Sequence, residues 1–402
     1  MAKTITSGLV RASLFILIAY GIFYAANFLY HLLSARMLGP AEYSVVASLF
    51  SIIYLVGIAS TSIQNAVTKF TADFKARNEK SKIAYLFRHG LNKIFLYSLI
   101  ILALYLLISP LIASFLKIPL ISALTMGPII IFSAVISINR GILQGLQDFK
   151  NLGVNMIIEG LAKFALAFIL IYLGFKANGV ISAASIAMAL AFALTFPYLK
   201  FGKIERKFDS KEIYKFSYLA LAALFLLSAI YSLDIFLVKH FFSAEAAGQY
   251  AALSLFGKVI FFGATSIGLV MFPKVSEMNY KDRKKMSIIF RESILFTLLI
   301  SAIITIVYFL LSKPIVNLVF GPNYAGAIPL LGLFGIFMSL VSLSYICILN
   351  KLAIGKKKFI LNLLAAVILE ILLICFFHGS LSQILTILII INSILLISLL
   401  KQ

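Results

Sequence analysis

Apolar residues run along this chain in long unbroken stretches, separated by short tracts that hold almost all of the charge. Neither the alternation of a half-buried strand nor the narrow stripe of a surface helix fits such stretches, whereas a helix crossing a bilayer needs roughly 20 consecutive apolar residues. The stretches fall at about residues 8–30, 42–65, 94–116, 120–145, 154–174, 179–199, 217–241, 248–272, 292–312, 327–350, 360–377 and 383–400, which predicts twelve spans. The first exceeds the roughly 7 to 15 residues of a signal-peptide core and has no small-residue cleavage site after it, so it reads as a retained helix.

Composition excludes a soluble alternative. Of 402 residues, 62% are hydrophobic and 12% are charged, against about 45–50% and about 25% in an ordinary globular domain. Twelve spans leave no room for a soluble catalytic domain. Lys and Arg outnumber Asp and Glu by 35 to 14, a net charge of +21 that would suit nucleic acid. The placement of the bases argues against it: most lie in the short tracts between spans, the pattern that orients a polytopic membrane protein.

With the N-terminus inside, 28 Lys and Arg fall on the cytoplasmic side and five, Arg36, Lys117, Lys176, Lys239 and Lys313, on the other. Both termini are therefore expected in the cytoplasm, with the chain in the plasma or inner membrane. The longest outer loop, Lys313 to Gly326, has about 14 residues, too few to fold alone. Cys347 and Cys375 lie inside apolar runs and read as small core residues, and the four histidines are scattered, so neither a metal site nor a cofactor is expected.

A repeat relates the two sides of the basic tract Lys200–Lys215. Glu42-Tyr43 answers Gln249-Tyr250 at a shift of 207, Thr61-Ser62-Ile63 answers Thr265-Ser266-Ile267 at 204, Pro110 answers Pro314 at 204, and Gly145 with Phe149 answers Gly355 with Phe359 at 210. The expected fold is all-α: two six-helix bundles, residues 1–208 and 209–402, both entered from the cytoplasm and so related by a parallel repeat.

Three motifs carry a family resemblance. Arg36-Met37-Leu38-Gly39-Pro40-Ala41-Glu42-Tyr43 resembles the AR-x-LG-P-x-E-[YF]-G signature of polysaccharide transporters, the Wzx-type oligosaccharide flippases of the multidrug/oligosaccharidyl-lipid/polysaccharide exporter superfamily, with Ser44 in place of the usual glycine. Asp234, Ala247-Gly248-Gln249-Tyr250 and Phe272-Pro273-Lys274-Val275-Ser276 resemble its D…xGxY…FPxxS pattern, and Phe320-Gly321-Pro322-Asn323-Tyr324 its FGxxY element. The resemblance implies a non-enzymatic transporter that carries a polyprenyl-diphosphate-linked oligosaccharide to the outer leaflet by alternating access. It also implies the bilayer and the glycan-assembly machinery as partners.

Ionisable groups within a span are costly and become functional suspects. Ser133, Ser137, Arg140, Gln144 and Gln147 form a polar stripe on span 4, and Asn155, Glu159 and Lys163 another on span 5. Facing each other, the stripes would line a wet cleft; alternatively, Glu159 and Lys163 neutralise each other as an i, i+4 pair and Arg140 snorkels. Lys258 lies near the middle of span 8, with Asp234 on span 7 as a partner, and Glu370 lies mid-span without a local one. Substrate-binding candidates are thus Arg140, Lys258, Lys163, Glu159, Gln144, Arg11, Arg36 and Asn27, and ion-coupling candidates Asp234 and Glu370. Gln64 and Asn65 fit helix contacts or sugar hydroxyls, and Pro128 is a candidate hinge.

Two other functions compete. A cation-coupled drug antiporter of the same superfamily usually carries an intramembrane carboxylate in its first bundle; here span 1 has none and Glu159 stands beside Lys163. A membrane-embedded enzyme acting on lipid-linked sugars commonly needs a large outer loop, and no phosphate-loop, HExxH or paired-carboxylate motif is present.

Overall fold

The computed structural model describes residues 2–199 and 218–401, which are almost wholly helical and contain no strand. The helices are α1 (Ala2–Ala76), α2 (Lys80–Leu116), α3 (Leu120–Gly145), α4 (Phe149–Tyr172), α5 (Lys176–Ala193), α6 (Tyr218–Ile230), α7 (Leu233–Phe241), α8 (Ala244–Lys281), α9 (Arg283–Leu310), α10 (Ser312–Val319), α11 (Leu331–Ala353), α12 (Phe359–Phe376) and α13 (Leu381–Lys401). The linker Lys200–Lys215, and with it the expected boundary at residue 208, lies outside the described residues.

Eleven helical segments among the described residues are long and apolar enough to cross a bilayer. Their number falls short of twelve because the first two apolar runs meet in one element. α1 has 75 residues, which as a straight rod would measure about 110 Å at about 1.5 Å per residue, far beyond one crossing. Its regular path breaks at Gly39 (φ 74, ψ 171), followed at once by Pro40. Glycine tolerates the positive φ, and proline has no N–H to continue the ladder. Two spans therefore abut without a loop.

Span 7 is also discontinuous: α6 ends at Ile230, Tyr231 and Ser232 form a turn, and α7 begins at Leu233. In contrast, α3 runs unbroken through Pro128, so this proline does not interrupt its helix.

The chain forms two compact units, Met1–Leu38 with Val56–Tyr218, and Gly39–Leu55 with Leu219–Gln402. Both are built as bilayer packing requires, with small residues at helix contacts. In the first unit, a Cβ on Gly141 would lie 2.8 Å from the Gln64 carbonyl and one on Gly145 would lie 2.6 Å from that of Thr68, so α3 and α1 touch backbone to backbone. Ala183, Ala184, Ala187 and Ala191 are fully buried on α5. In the second unit α8 is sandwiched by α9 and α11, and a Cβ on Gly268 would meet Leu349 at 2.6 Å and Tyr345 at 2.8 Å.

The outward faces are apolar where a soluble protein would be charged. Leu107, Leu111, Leu269 and Leu310 are 71–76% exposed. Lipid is the natural solvent for such a surface. Cys375 belongs to this exposed shell, and only Cys347 is a core residue; the expectation that both pack inside fails for Cys375 because its helix turns that face outward.

Candidate functional site

The polar stripes on spans 4 and 5 meet inside the first unit. Arg140 of α3 donates from Nε (2.9 Å) and Nη2 (2.8 Å) to Asn155 Oδ1, and from Nη2 to Glu159 Oε2 at 2.6 Å. Asn155 passes the network on by donating from Nδ2 to the Ala191 carbonyl of α5 at 2.7 Å. Arg140, Asn155 and Glu159 are all buried, so each charge is compensated where water cannot do it. Nη1 of Arg140 makes no hydrogen bond to a described residue. A guanidinium clamped on one edge thus keeps the N–H groups of its other edge for a further acceptor.

One turn along α4, Lys163 donates to Asn27 Oδ1 at 2.9 Å and stands 4.2 Å from the centre of the Tyr30 ring. Asn27 in turn donates to the Phe23 carbonyl of its own helix, and Tyr30 to the Val180 carbonyl of α5. These bonds tie α1, α4 and α5 together, and Asn27 serves the protein's own lysine. Gln144 accepts from Gln64 at 3.0 Å and from Thr68 at 3.3 Å, joining α3 to α1. Gln147 leaves the stripe because it follows the helix end with a left-handed φ of 60°.

The second unit holds the other cluster, centred on the broken span. Asp234, at the start of α7, is fully buried; its carboxylate accepts from the Ile235 N–H at 2.8 Å and from the Tyr250 hydroxyl of α8 at 2.7 Å. Glu370 of α12 is also fully buried, and both of its carboxyl oxygens lack a hydrogen-bond partner. The two carboxyl groups feel each other electrostatically, as α7 and α12 pack together. Lys258 of α8 lies within electrostatic range of Asp234 but does not bond to it: its ammonium sits 3.9 Å above the Tyr54 ring. The expected Asp234–Lys258 pairing is thus a longer-range attraction, because Tyr250 fills the direct position.

Broken helices at membrane depth survive only where protein or a polar cavity satisfies the freed backbone, which makes the Tyr231–Ser232 break a pointer to a site. Asp234 stands two residues beyond the break, and Glu370 and Lys258 lie within electrostatic range of that carboxyl. They suit binding of a proton or small cation, and of an anion beside Lys258.

Of the other candidates, Arg36 is exposed near the Gly39 break, and Arg11 lies on α1 with its side chain outside the described residues. Sequence reading passed over Lys239, which is buried and donates to Ser44 Oγ at 2.9 Å, because its place near a span end resembles ordinary anchoring. It also missed the bond from Asn139 Nδ2 to Thr195 Oγ1 at 2.6 Å, whose residues lie in different stretches and share no motif. Among the described residues no group of three or more His, Cys, Asp or Glu is placed to hold a metal.

The family model for polysaccharide biosynthesis proteins matches residues 33–329. An uncharacterised membrane protein of Methanocaldococcus jannaschii is 28% identical over 290 residues, 67% of this chain and 68% of its own. Among solved structures, an inward-facing multidrug resistance MATE family transporter of the MOP superfamily superposes with a TM-score of 0.76 at 14% identity, over 95% of this chain and 96% of that one. The lipid II flippase MurJ in an inward closed conformation gives 0.76 at 16% identity, over 96% and 86%. At such identities the structures establish the fold, and the family match covers most of the sequence, including all the motifs from Gly39-Pro40 to Phe320-Gly321: this chain belongs to the polysaccharide biosynthesis protein family and has the fold of the MOP-superfamily transporters.

Proposed function

We propose that the protein is a flippase that moves a polyprenyl-diphosphate-linked oligosaccharide from the cytoplasmic to the outer leaflet of the cell membrane, by alternating access of its two units. The observation that carries this reading is the pattern of intramembrane charge. Each unit presents a cation held by its own surroundings, Arg140 fixed by Asn155 and Glu159, and Lys258 seated on Tyr54. A diphosphate is the part of such a substrate that most needs cationic partners in a medium of low dielectric. Family membership supports the saccharide half of the reading.

Glu370 then serves ion coupling, since a buried carboxyl without a hydrogen-bond partner is a poor structural element and a ready acceptor for a proton or cation, and Asp234, the buried carboxyl on the helix packed against it, shares that role. In the first unit Glu159 already serves Arg140, which weighs against a drug antiporter that binds its coupling cation there. Both termini would face the cytoplasm, and the glycan-assembly machinery would receive the product.

The test is reconstitution into liposomes with a labelled lipid-diphosphate oligosaccharide in one leaflet. The reading expects the label to become accessible from the opposite leaflet faster than in protein-free vesicles, with the rate lost in Lys258→Gln. Equal rates with and without protein, measured with and without proton and sodium gradients, would overturn it.

A further inference from the structure

In the second unit a row of half-buried aromatic rings runs from the helix face of Lys258 to the edge of the core cluster against which Tyr345 packs. Tyr231 stands in the turn between α6 and α7, Phe261 on α8 and Tyr345 on α11. Ring centroids are 5.0 Å apart for Tyr231 and Phe261 and 5.3 Å apart for Phe261 and Tyr345. The Tyr231 hydroxyl accepts a hydrogen bond from Ser228 Oγ at 2.8 Å, which fixes its ring.

All three are half-buried, and for Tyr345 this stands out: every other residue from 341 to 351 on α11 is buried. Phe261 follows Lys258 by three positions on α8, so the two share a helix face. At the turn itself Ser232 is 1% exposed and its hydroxyl has no hydrogen-bond partner. An unpartnered buried hydroxyl at a helix break, beside Tyr231 and the ring that packs on it, has the make-up of a ligand site rather than of a sealed core.

We infer that Tyr231, Phe261 and Tyr345 form a platform for the sugar ring closest to the diphosphate, which Lys258 would hold. The inference rests on the flippase reading and adds to it the part of the substrate recognised in this unit. A pyranose has a face of C–H bonds carrying slight positive charge, and an aromatic face is electron-rich, so the two attract while the sugar hydroxyls remain free at the rim. Bare aliphatic side chains would offer the same apolar area without that attraction. Lys258 on the Tyr54 ring marks the anionic end of the row.

The experiment compares two probes in nanodiscs: polyprenyl diphosphate carrying one N-acetylhexosamine, and the same lipid diphosphate without sugar. Wild type is expected to prefer the sugar-bearing probe. Tyr231→Leu and Tyr345→Leu should each weaken that probe alone by roughly 3- to 10-fold, the scale of one aromatic contact. Tyr345→Phe, which keeps the ring, should retain the preference, and Lys258→Gln should weaken both probes alike. Melting temperatures of the variants in the same nanodiscs separate lost binding from lost folding.

A preference that survives both leucine variants, or one that falls equally in Tyr345→Phe and Tyr345→Leu, would overturn the platform. Wild type binding both probes equally would overturn it too while leaving the diphosphate reading standing. Wild type binding neither would remove both.

Discussion

At the scale of single residues, the decisive feature is how each buried charge is compensated. Glu159 accepts the shortest of the Arg140 hydrogen bonds, so Arg140→Gln orphans a carboxylate in a dry setting, a loss of about 3 to 5 kcal/mol in buried pairs of this kind. Arg140→Gln alone is therefore expected to deplete the protein in membranes. Adding Glu159→Gln should restore abundance but not substrate binding, because the Nη1 donors stay absent. If the double variant binds substrate normally, Arg140 is structural only. For Asp234 and Glu370, replacement by Asn and Gln should abolish dependence on an ion gradient while leaving the protein folded; unchanged dependence in both variants takes them out of the mechanism. The stripe of Asn155, Glu159 and Lys163 was readable from its four-residue spacing. That Arg140 would clamp to two of its members was not, because spacing gives a face of a helix and never the rotation of the neighbour against it.

At the scale of elements, the fold depends on a few places where backbone meets backbone. Gly248 of α8 lies under the Gly39-Pro40 break, so closely that a Cβ on it would overlap the Pro40 carbonyl. Backbone cannot swing aside as a side chain can, so Gly248→Ala should destabilise the protein by about 3 kcal/mol or more. Gly263→Ala on the same helix meets only Ile300 Cγ2, at 3.4 Å, and should be neutral or stabilising by up to about 1 kcal/mol from helix propensity. Thermal unfolding in detergent checks the contrast; equal losses would mean that the Gly248 contact carries no special weight. Pro40 and Gly248 sit in two of the motifs that signalled the family, and those two motifs thus meet in one packing contact. Ser44, the departure from the usual glycine, donates to the Ala41 carbonyl at 2.6 Å while accepting from Lys239, so the change is accommodated locally.

At the scale of the whole molecule, the bias of bases toward one side of the spans predicts orientation. A cysteine at Ser380, exposed between α12 and α13, should react with an impermeant thiol reagent from outside intact cells, and one at Lys357, exposed between α11 and α12, only after the cells are opened. The background is best removed with Cys375→Ser, since Cys375 is exposed and Cys347 is buried. Reversed accessibility would invert the topology and the direction of transport argued from it. Helix length bears on the same question. α2 and α8 have 37 and 38 residues, about 55 Å each against a hydrocarbon core of about 30 Å. Their surplus ends are therefore expected in water and headgroups. That of α2 carries Lys80, Lys82, Arg88 and Lys93, and that of α8 leads into Arg283, Lys284 and Lys285 of the next helix.

The sequence alone determined the solvent, the helical architecture and the family, because a bilayer demands long apolar runs and the spacing of Gly39-Pro40, Asp234, Tyr250 and Phe320-Gly321 is a property of the chain itself. It also placed most of the intramembrane charges, conspicuous against an apolar background, whereas the buried Lys239 passed as an anchor at a span end. Only tertiary structure decided which groups those charges meet. Lys258 was expected to face Asp234 and rests on Tyr54, Tyr250 takes the carboxylate, and Asn27 is claimed by Lys163. It also decided that the seventh span breaks at Tyr231–Ser232, in a run whose length alone reads as one helix. The physical reason is common to all of these: hydrophobicity selects the environment of a residue through its own transfer energy, whereas the partner of a polar group depends on which helix faces pack, and that is settled by van der Waals fit and hydrogen bonding between segments far apart in the chain.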